Sequence, residues 1–147
     1  MREINVAMAM IVQADEYLLQ LRTKKTENGA IGKTGCFGGQ IEDEDDDSYA
    51  AVSREIEEET QIGSNPELVT PADNFRRLGM VHVQSDRDGQ PALINAEVFE
   101  LLLEYGIPVK ALKGELVRMR LDDVSKARAK GELTPATATA FTKFYGV

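Results

Sequence analysis

The sequence predicts an α/β protein, a mixed sheet with helices on both faces. Three observations lead there. Residues 4–12 form an almost unbroken apolar run, the mark of a strand buried on two faces. Residues 47–61 carry apolar side chains at helical spacing. Further strand-like stretches follow that helix without the strict β-α alternation of a nucleotide-binding doubly wound sheet.

Taken in order, residues 4–12 (INVAMAMIV) make the first strand, Asp15-Glu16 a turn and residues 17–21 (YLLQL) a second strand. Gly29, Gly32, Gly35, Gly38 and Gly39 punctuate a loop with a short strand around Cys36-Phe37. At Gly38-Gly39 the backbone is free to adopt conformations that other residues resist. The helix at 47–61 can be capped by Asp46, Asp47 or Ser48, which also suit the positive end of its dipole. Its core face is Tyr49, Val52, Ile56 and Thr60. Residues 63–73 are polar, contain two prolines and read as loop. Residues 76–84 and 93–103 read as strands joined by a turn at Asp86-Arg87-Asp88-Gly89. Residues 115–121 alternate as another strand, and 122–129 suit a short helix. Thr134-Pro135 opens a closing helix to about Tyr145, with Thr as cap and Pro at the first position.

A length of 147 residues suits one domain spanning 1–147 with a real core. No apolar run approaches the roughly 20 residues of a membrane span. Met1-Arg2-Glu3-Ile4-Asn5 lacks a basic stretch followed by an apolar core, so no secretory signal is expected. Cys36 is the single cysteine, which excludes a disulfide framework or a multi-cysteine zinc site within one chain. A cytoplasmic location is the expectation. The net charge of −8 argues against nonspecific binding to a nucleic-acid backbone, which needs clustered Lys and Arg. Much of the excess acid lies in residues 42–47 (EDEDDD), which read either as a solvated loop or as a divalent-cation site.

The chemistry-bearing segment is Arg54-Glu55-Ile56-Glu57-Glu58-Glu59. With each helical residue advancing about 100°, and Tyr49 taken as zero, Val52, Ile56 and Thr60 fall within about 60° of it. Glu55, Glu58 and Glu59 fall at about 240°, 180° and 280°, a second stripe beside the core, with small Ala51 above it at about 200°. Like charges at these spacings repel by a few tenths of a kcal/mol per pair. Arg54 can pair with Glu58 but cannot neutralise three carboxylates; a divalent cation can. The plain alternative is an acidic, exposed helix. Upstream, Gly38-Gly39-Gln40-Ile41-Glu42 places flexible backbone, a carbonyl and another acid where they could close a metal site.

Here the sequence resembles the Nudix (MutT-like) hydrolase family. That family's box reads Gly, five residues, Glu, seven residues, then Arg-Glu-apolar-any-Glu-Glu-any-Gly-apolar. This chain offers Gly39, then Asp45 or Asp46, then Arg54 to Ile62. Two features depart from the pattern. The interval from Gly39 to Arg54 holds one residue more, so the first acid is Asp45 counted forward and Asp46 counted back. Gln61 stands where the family has Gly, with Gly63 two residues on. The resemblance implies a Nudix-type α/β/α sandwich and a reaction in which a nucleoside diphosphate linked to another group is cut by water to a nucleoside monophosphate and a phosphorylated remainder.

The resemblance also assigns roles. Glu55, Glu58, Glu59 and Arg54 would be catalytic. Glu55, Glu58, Glu59 and the Gly39 carbonyl would hold Mg²⁺ or Mn²⁺, with Glu42 as an outer ligand and Arg54 orienting the cluster. Arg22 could meet a substrate phosphate, or equally be a solvated strand-end residue; Arg76 and Arg77 offer the same choice. Glu115 is the candidate for a further acid from a later loop. A small-molecule nucleotide is the expected substrate, and no membrane partner is expected. A homodimer is common in the family, and residues 98–103 (VFELLL) could supply an interface or a buried strand. The bland readings are a packed or hydrogen-bonded His82, a small buried Cys36, a core Phe37, and Phe141, Phe144 and Tyr145 as the packing face of the last helix. The altered spacing supports one rival reading: a catalytically silent Nudix-like module that binds a nucleotide or a protein partner.

Overall fold

A computed structural model describes residues 1–23, 31–64, 74–87 and 89–147. Gly29, most of the 63–73 loop and Asp88 of the expected turn lie outside the described residues. The strands are β1 (Arg2–Gln13), β2 (Glu16–Leu21), β3 (Thr34–Gly35), β4 (Phe37–Gln40), β5 (Thr60–Ile62), β6 (Arg76–Arg87), β7 (Gln90–Leu103), β8 (Val109–Ala111) and β9 (Glu115–Met119). The helices are α1 (Ser48–Glu59), α2 (Leu121–Ala129) and α3 (Pro135–Tyr145).

The sheet is mixed, as expected, and β1 is its centre. It runs parallel to β7 from Arg2 opposite Ala92 to Gln13 opposite Leu103. Its other edge is shared: Val6 to Ala9 pair with β4 and Ile11 to Gln13 with β2. Beyond β7 lies antiparallel β6, with a bulge between Arg77 and Gly79. Beyond β2 lie β3 and β9. The unbroken apolar run of β1 follows from this position. Met8 and Met10 pack with Ile94, Val98, Val124 and Phe141 under α2 and α3. The alternate residues Ala7, Ala9 and Ile11 pack with Val52, Ile56 and Phe99 under α1. Side chains alternate across a strand, so only a strand covered on both sides is apolar throughout. Burying a side chain such as Val52 or Ile56, both out of solvent, is worth roughly 1.5–3 kcal/mol.

Three local expectations are corrected. Helix α1 stops at Glu59 rather than near residue 61. Thr60 is extended (φ −136°), its N–H and Oγ1 both return to the Ile56 carbonyl, and the chain enters β5, which pairs with β8. Leu121 begins α2 instead of ending a strand, because the Asp123 carboxylate accepts from the Arg120 N–H at 3.0 Å and turns the chain. Thr134 stands at the start of α3 with Pro135 first, but its hydroxyl donates to Thr137 Oγ1 (2.8 Å) rather than capping the helix. At α1 the cap is Asp47, whose Oδ1 accepts from the Ala50 N–H at 2.8 Å. Among the described residues no helix is long and apolar enough to cross a membrane.

Candidate active site

Strand β4 and helix α1 bring the box residues together. Glu55 and Glu59, one turn apart and below Ala51, face inward and are only 9% and 7% exposed. Both meet the glycine pair. The Gly38 N–H donates to Glu59 Oε1 at 2.8 Å. Gly39 lies against Glu55 so closely that a Cβ there would sit 2.6 Å from the carboxylate carbon. Gly38 has a different need for glycine: φ is +155°, and a Cβ would come within 2.4 Å of the Ala7 carbonyl on β1. The glycine pair therefore lets β4 approach β1 on one side and two acids on the other.

Arg54 ties the loop to the helix. Its Nε and Nη2 reach the two oxygens of Asp45, each at 3.0 Å, and Nη2 also donates to the Gln40 carbonyl. Its Nη1 reaches Glu55 at 3.0 Å and Glu58 at 3.4 Å, with Glu42 at 3.8 Å. Of the two aspartates the sequence left open, Asp45 braces the arginine. A further bond from the Glu42 N–H (2.8 Å) fixes its carboxylate, and the guanidinium holds its pKa below the usual range. The extra residue of the box thus falls after Asp45 and is absorbed ahead of the Asp47 cap.

The electrostatics single out the buried pair. Burial first, then the neighbouring charge of Glu55, push Glu59 up to about 7; the Gly38 N–H, Lys113 and Gln20 pull the other way. Burial raises Glu55 as well, against the pull of Arg54. Two adjacent carboxylates in a poorly solvated site resist being ionised together. The donor set suits a hard divalent cation: carboxylate oxygens beside a glycine where a side chain would fill the space. As the side chains lie, the expected trio is a buried pair and a third. Glu58 is 47% exposed and turned to Arg54, and among the described residues no three potential ligand side chains stand close enough to hold one ion.

On the other side of β4 opens a cleft with a volume of about 80 Å³, partly open to solvent. Val6, Met8, Val83 and Ile94 of the sheet and Pro135 of α3 give it aliphatic walls, and Gly38, Gly39 and Arg22 line it too. Burial lowers the Arg22 pKa and the charge of Glu59 opposes this. Among the described residues the guanidinium has no ion pair. Arg22 therefore links the cleft to the acids. Cys36 also lines the cleft; its N–H bonds Thr137 Oγ1, and burial pushes its thiol up to about 12, the state of an inert packing residue.

The remaining candidates are dispersed. Arg76 and Arg77 pair with Glu100 and Glu97 of β7 and stand apart from the cleft. His82 is exposed and bonds Asn95 at 2.7 Å. Phe37 is core. Residues 98–103 belong to buried, two-sided β7, with Leu102 exposed. Glu115 is exposed at the start of β9, opposite Leu21. Sequence reasoning missed Gln20, whose amide donates to the Lys113 carbonyl (2.9 Å) and faces Glu59 Oε2 (3.4 Å). The available signal was a lone amide inside the apolar strand YLLQL.

The NUDIX domain pattern matches residues 1–139. By sequence, no curated protein matches. Among solved structures, a MutT protein from Methanosarcina mazei superposes with a TM-score of 0.67 at 19% identity, covering 98% of this chain and 94% of that one. A MutT NUDIX hydrolase from Burkholderia pseudomallei gives 0.65 at 23%, covering 95% and 96%. A bifunctional NMN adenylyltransferase/ADP ribose pyrophosphatase from Francisella tularensis, complexed with AMP and a Mn ion, gives 0.65 at 14%, covering 97% of this chain and 41% of that one. These likenesses describe the fold, and with a family match over nearly its whole length the chain belongs to the NUDIX domain family.

Proposed function

We propose that the protein is a divalent-metal-dependent hydrolase that cuts the phosphoanhydride of a nucleoside diphosphate linked to another group, releasing a nucleoside monophosphate and a phosphorylated remainder. The observation that carries this is the buried Glu55–Glu59 pair against Gly38-Gly39, with Glu59 raised to about 7. Two buried acids across the glycine pair from a cleft that contains a half-buried arginine make sense when a cation joins them. The residues that would hold Mg²⁺ or Mn²⁺ are Glu55, Glu58, Glu59 and the Gly39 carbonyl. Bound there, the ion would supply phosphate neutralisation and a more acidic water.

The chain's own groups do the rest. Arg54, locked by Asp45, contacts both Glu55 and Glu58 and so ties the exposed acid to the buried pair. Gly38 fixes one oxygen of Glu59 at 2.8 Å, and the other, met only by the longer bond from Gln20 (3.4 Å), is the one that would take a ligand or a proton. Arg22 offers a charge to the phosphate chain at the cleft, and the aliphatic walls receive the group attached to it. Once ionised, Glu55 or Glu59 can take the proton of an attacking water. The silent module drew its support from the extra residue, which leaves the Arg54 brace intact.

The test is a panel of ADP-ribose, a diadenosine polyphosphate and nucleoside triphosphates with Mg²⁺ or Mn²⁺, reading phosphate after phosphatase. Glu58→Gln and Glu59→Gln should each abolish turnover while circular dichroism stays that of the wild type. Full turnover in both variants refutes the assignment. Heat of ADP-ribose binding without product would favour the silent module.

A further inference from the structure

The β8–β9 turn, residues 112–114, is fastened to the acid-bearing elements at three points. The Leu112 N–H donates to the Glu59 carbonyl at 2.7 Å. The Lys113 carbonyl accepts from Gln20 Nε2 at 2.9 Å, the amide that faces Glu59. Gly114, at φ +66°, presses on the end of β2, where a Cβ would lie 2.4 Å from the Leu21 carbonyl and 3.0 Å from Gln20 Cγ. Only glycine permits both that backbone angle and that approach. The main chain of Lys113 is thus fixed beside Glu59, bonded to Gln20 two residues before Arg22 at the same strand end, while its side chain is exposed. Its charge acts on Glu55 and Glu59 alike, yet among the described residues its ammonium is in no ion pair.

We infer that Lys113 is a substrate-binding residue, a second cation that with Arg22 grips the phosphate chain over the acid pair. This rests on the function proposed above. An ammonium near two carboxylates is favoured while they are bare. With cations on the acids the same ammonium is repelled, and the phosphate oxygens become its natural partner. Lys113 should therefore oppose metal binding and favour substrate binding, two effects of opposite sign that an ordinary solvated lysine would not produce.

The experiment uses Lys113→Met, with Lys113→Arg as charge rescue and Lys110→Met, an exposed lysine on β8, as control. ADP-ribose is titrated with Mn²⁺ at saturation, and Mn²⁺ is titrated separately without nucleotide. Lys113→Met should raise KM about tenfold with kcat within about twofold, the pattern of lost uniform binding. It should also tighten Mn²⁺ about threefold or more, the direction set by removing a positive charge that opposes a divalent cation across water. Lys113→Arg should restore both values, and Lys110→Met should change neither. Unchanged KM and Mn²⁺ affinity in Lys113→Met, or equal shifts in Lys110→Met, overturn the inference. If the wild type leaves ADP-ribose and the rest of the panel intact, the proposed function fails instead, and the Mn²⁺ titration still decides whether Lys113 lies over the acids.

Discussion

Replacing Gly39 by alanine tests the site with a single methyl group. The backbone at Gly39 is ordinary strand, so no torsional strain enters. The added Cβ would lie 2.6 Å from Glu55 Cδ and Oε1 and 2.7 Å from Oε2, where ordinary contact begins at 3.4 Å. The carboxylate must therefore retreat by about 0.8 Å, the difference between 3.4 and 2.6 Å. A displacement of about 1 Å in a reacting geometry costs on the order of 100-fold in rate, or about 2.7 kcal/mol. The fold should lose little, because glycine-to-alanine in compatible backbone gains about 0.4–1 kcal/mol through the unfolded chain. Gly38→Ala is the contrast: its Cβ would strike the Ala7 carbonyl at 2.4 Å and Met8 Cα at 2.6 Å at positive φ, so β4 must separate from β1. We expect Gly39→Ala to lose about 100-fold in Mn²⁺-dependent turnover with Tm within about 3 °C of wild type. Gly38→Ala should lower Tm by about 10 °C or more. Full turnover in Gly39→Ala, or equal loss of stability in both, would refute the account of why glycines stand here.

Asp45→Asn should break the two-point grip on Arg54, lowering turnover about tenfold and stability by about 1 kcal/mol, while Asp46→Asn changes neither. Equal effects of the two, by turnover and thermal melting, would mean that the brace is misassigned. Glu59 sets a pH dependence. Its carboxyl rises from 4.5 to about 7, so between those values the folded chain holds a proton that the unfolded chain has lost. The metal-free fold therefore keeps this contribution below pH 4.5 and loses it as pH rises through about 7. Mn²⁺ affinity should move oppositely, rising up to about tenfold per pH unit until it levels near 7. Denaturant melts of chelator-treated wild type and Glu59→Gln from pH 5 to 8 check the first effect, and coincident slopes would exclude it. Tyr145→Phe removes the bond from its hydroxyl to buried Glu100 (2.7 Å) and should cost about 1–2 kcal/mol with turnover unchanged; an unaltered Tm contradicts that.

Much of the molecule was legible because burial leaves a period in the sequence. Strand β1 showed itself by being apolar on both faces, and α1 by Val52 and Ile56 recurring at helical spacing. The acid pair was legible for the same reason: Glu55 and Glu59 repeat the helical period beside small Ala51. Strands β5 and β8 were not legible. They are three residues each, pair across the sequence, and carry no period long enough to register. Glu58 shares the stripe of its neighbours, yet whether such a residue turns inward depends on Arg54, a side-chain matter that spacing does not encode. The choice between Asp45 and Asp46 depended on a turn closed by the Glu42 N–H. Gln20 and Lys113 are 93 residues apart and meet only when β2 and β9 pair.

The placement of the first strand has a consequence for how the chain is made. Every long-range partner of β1 on its β7 edge arrives about 90 residues later, since Arg2 waits for Ala92 and Gln13 for Leu103. During synthesis this apolar segment emerges well before its β7 partner and is sheltered late. Closing so long a loop before any reward makes folding slow relative to a chain of local contacts. Until β7 emerges, INVAMAMIV is a sticky, uncharged ribbon, and chaperone demand and inclusion-body formation should respond more to charges introduced there than to changes anywhere in α2.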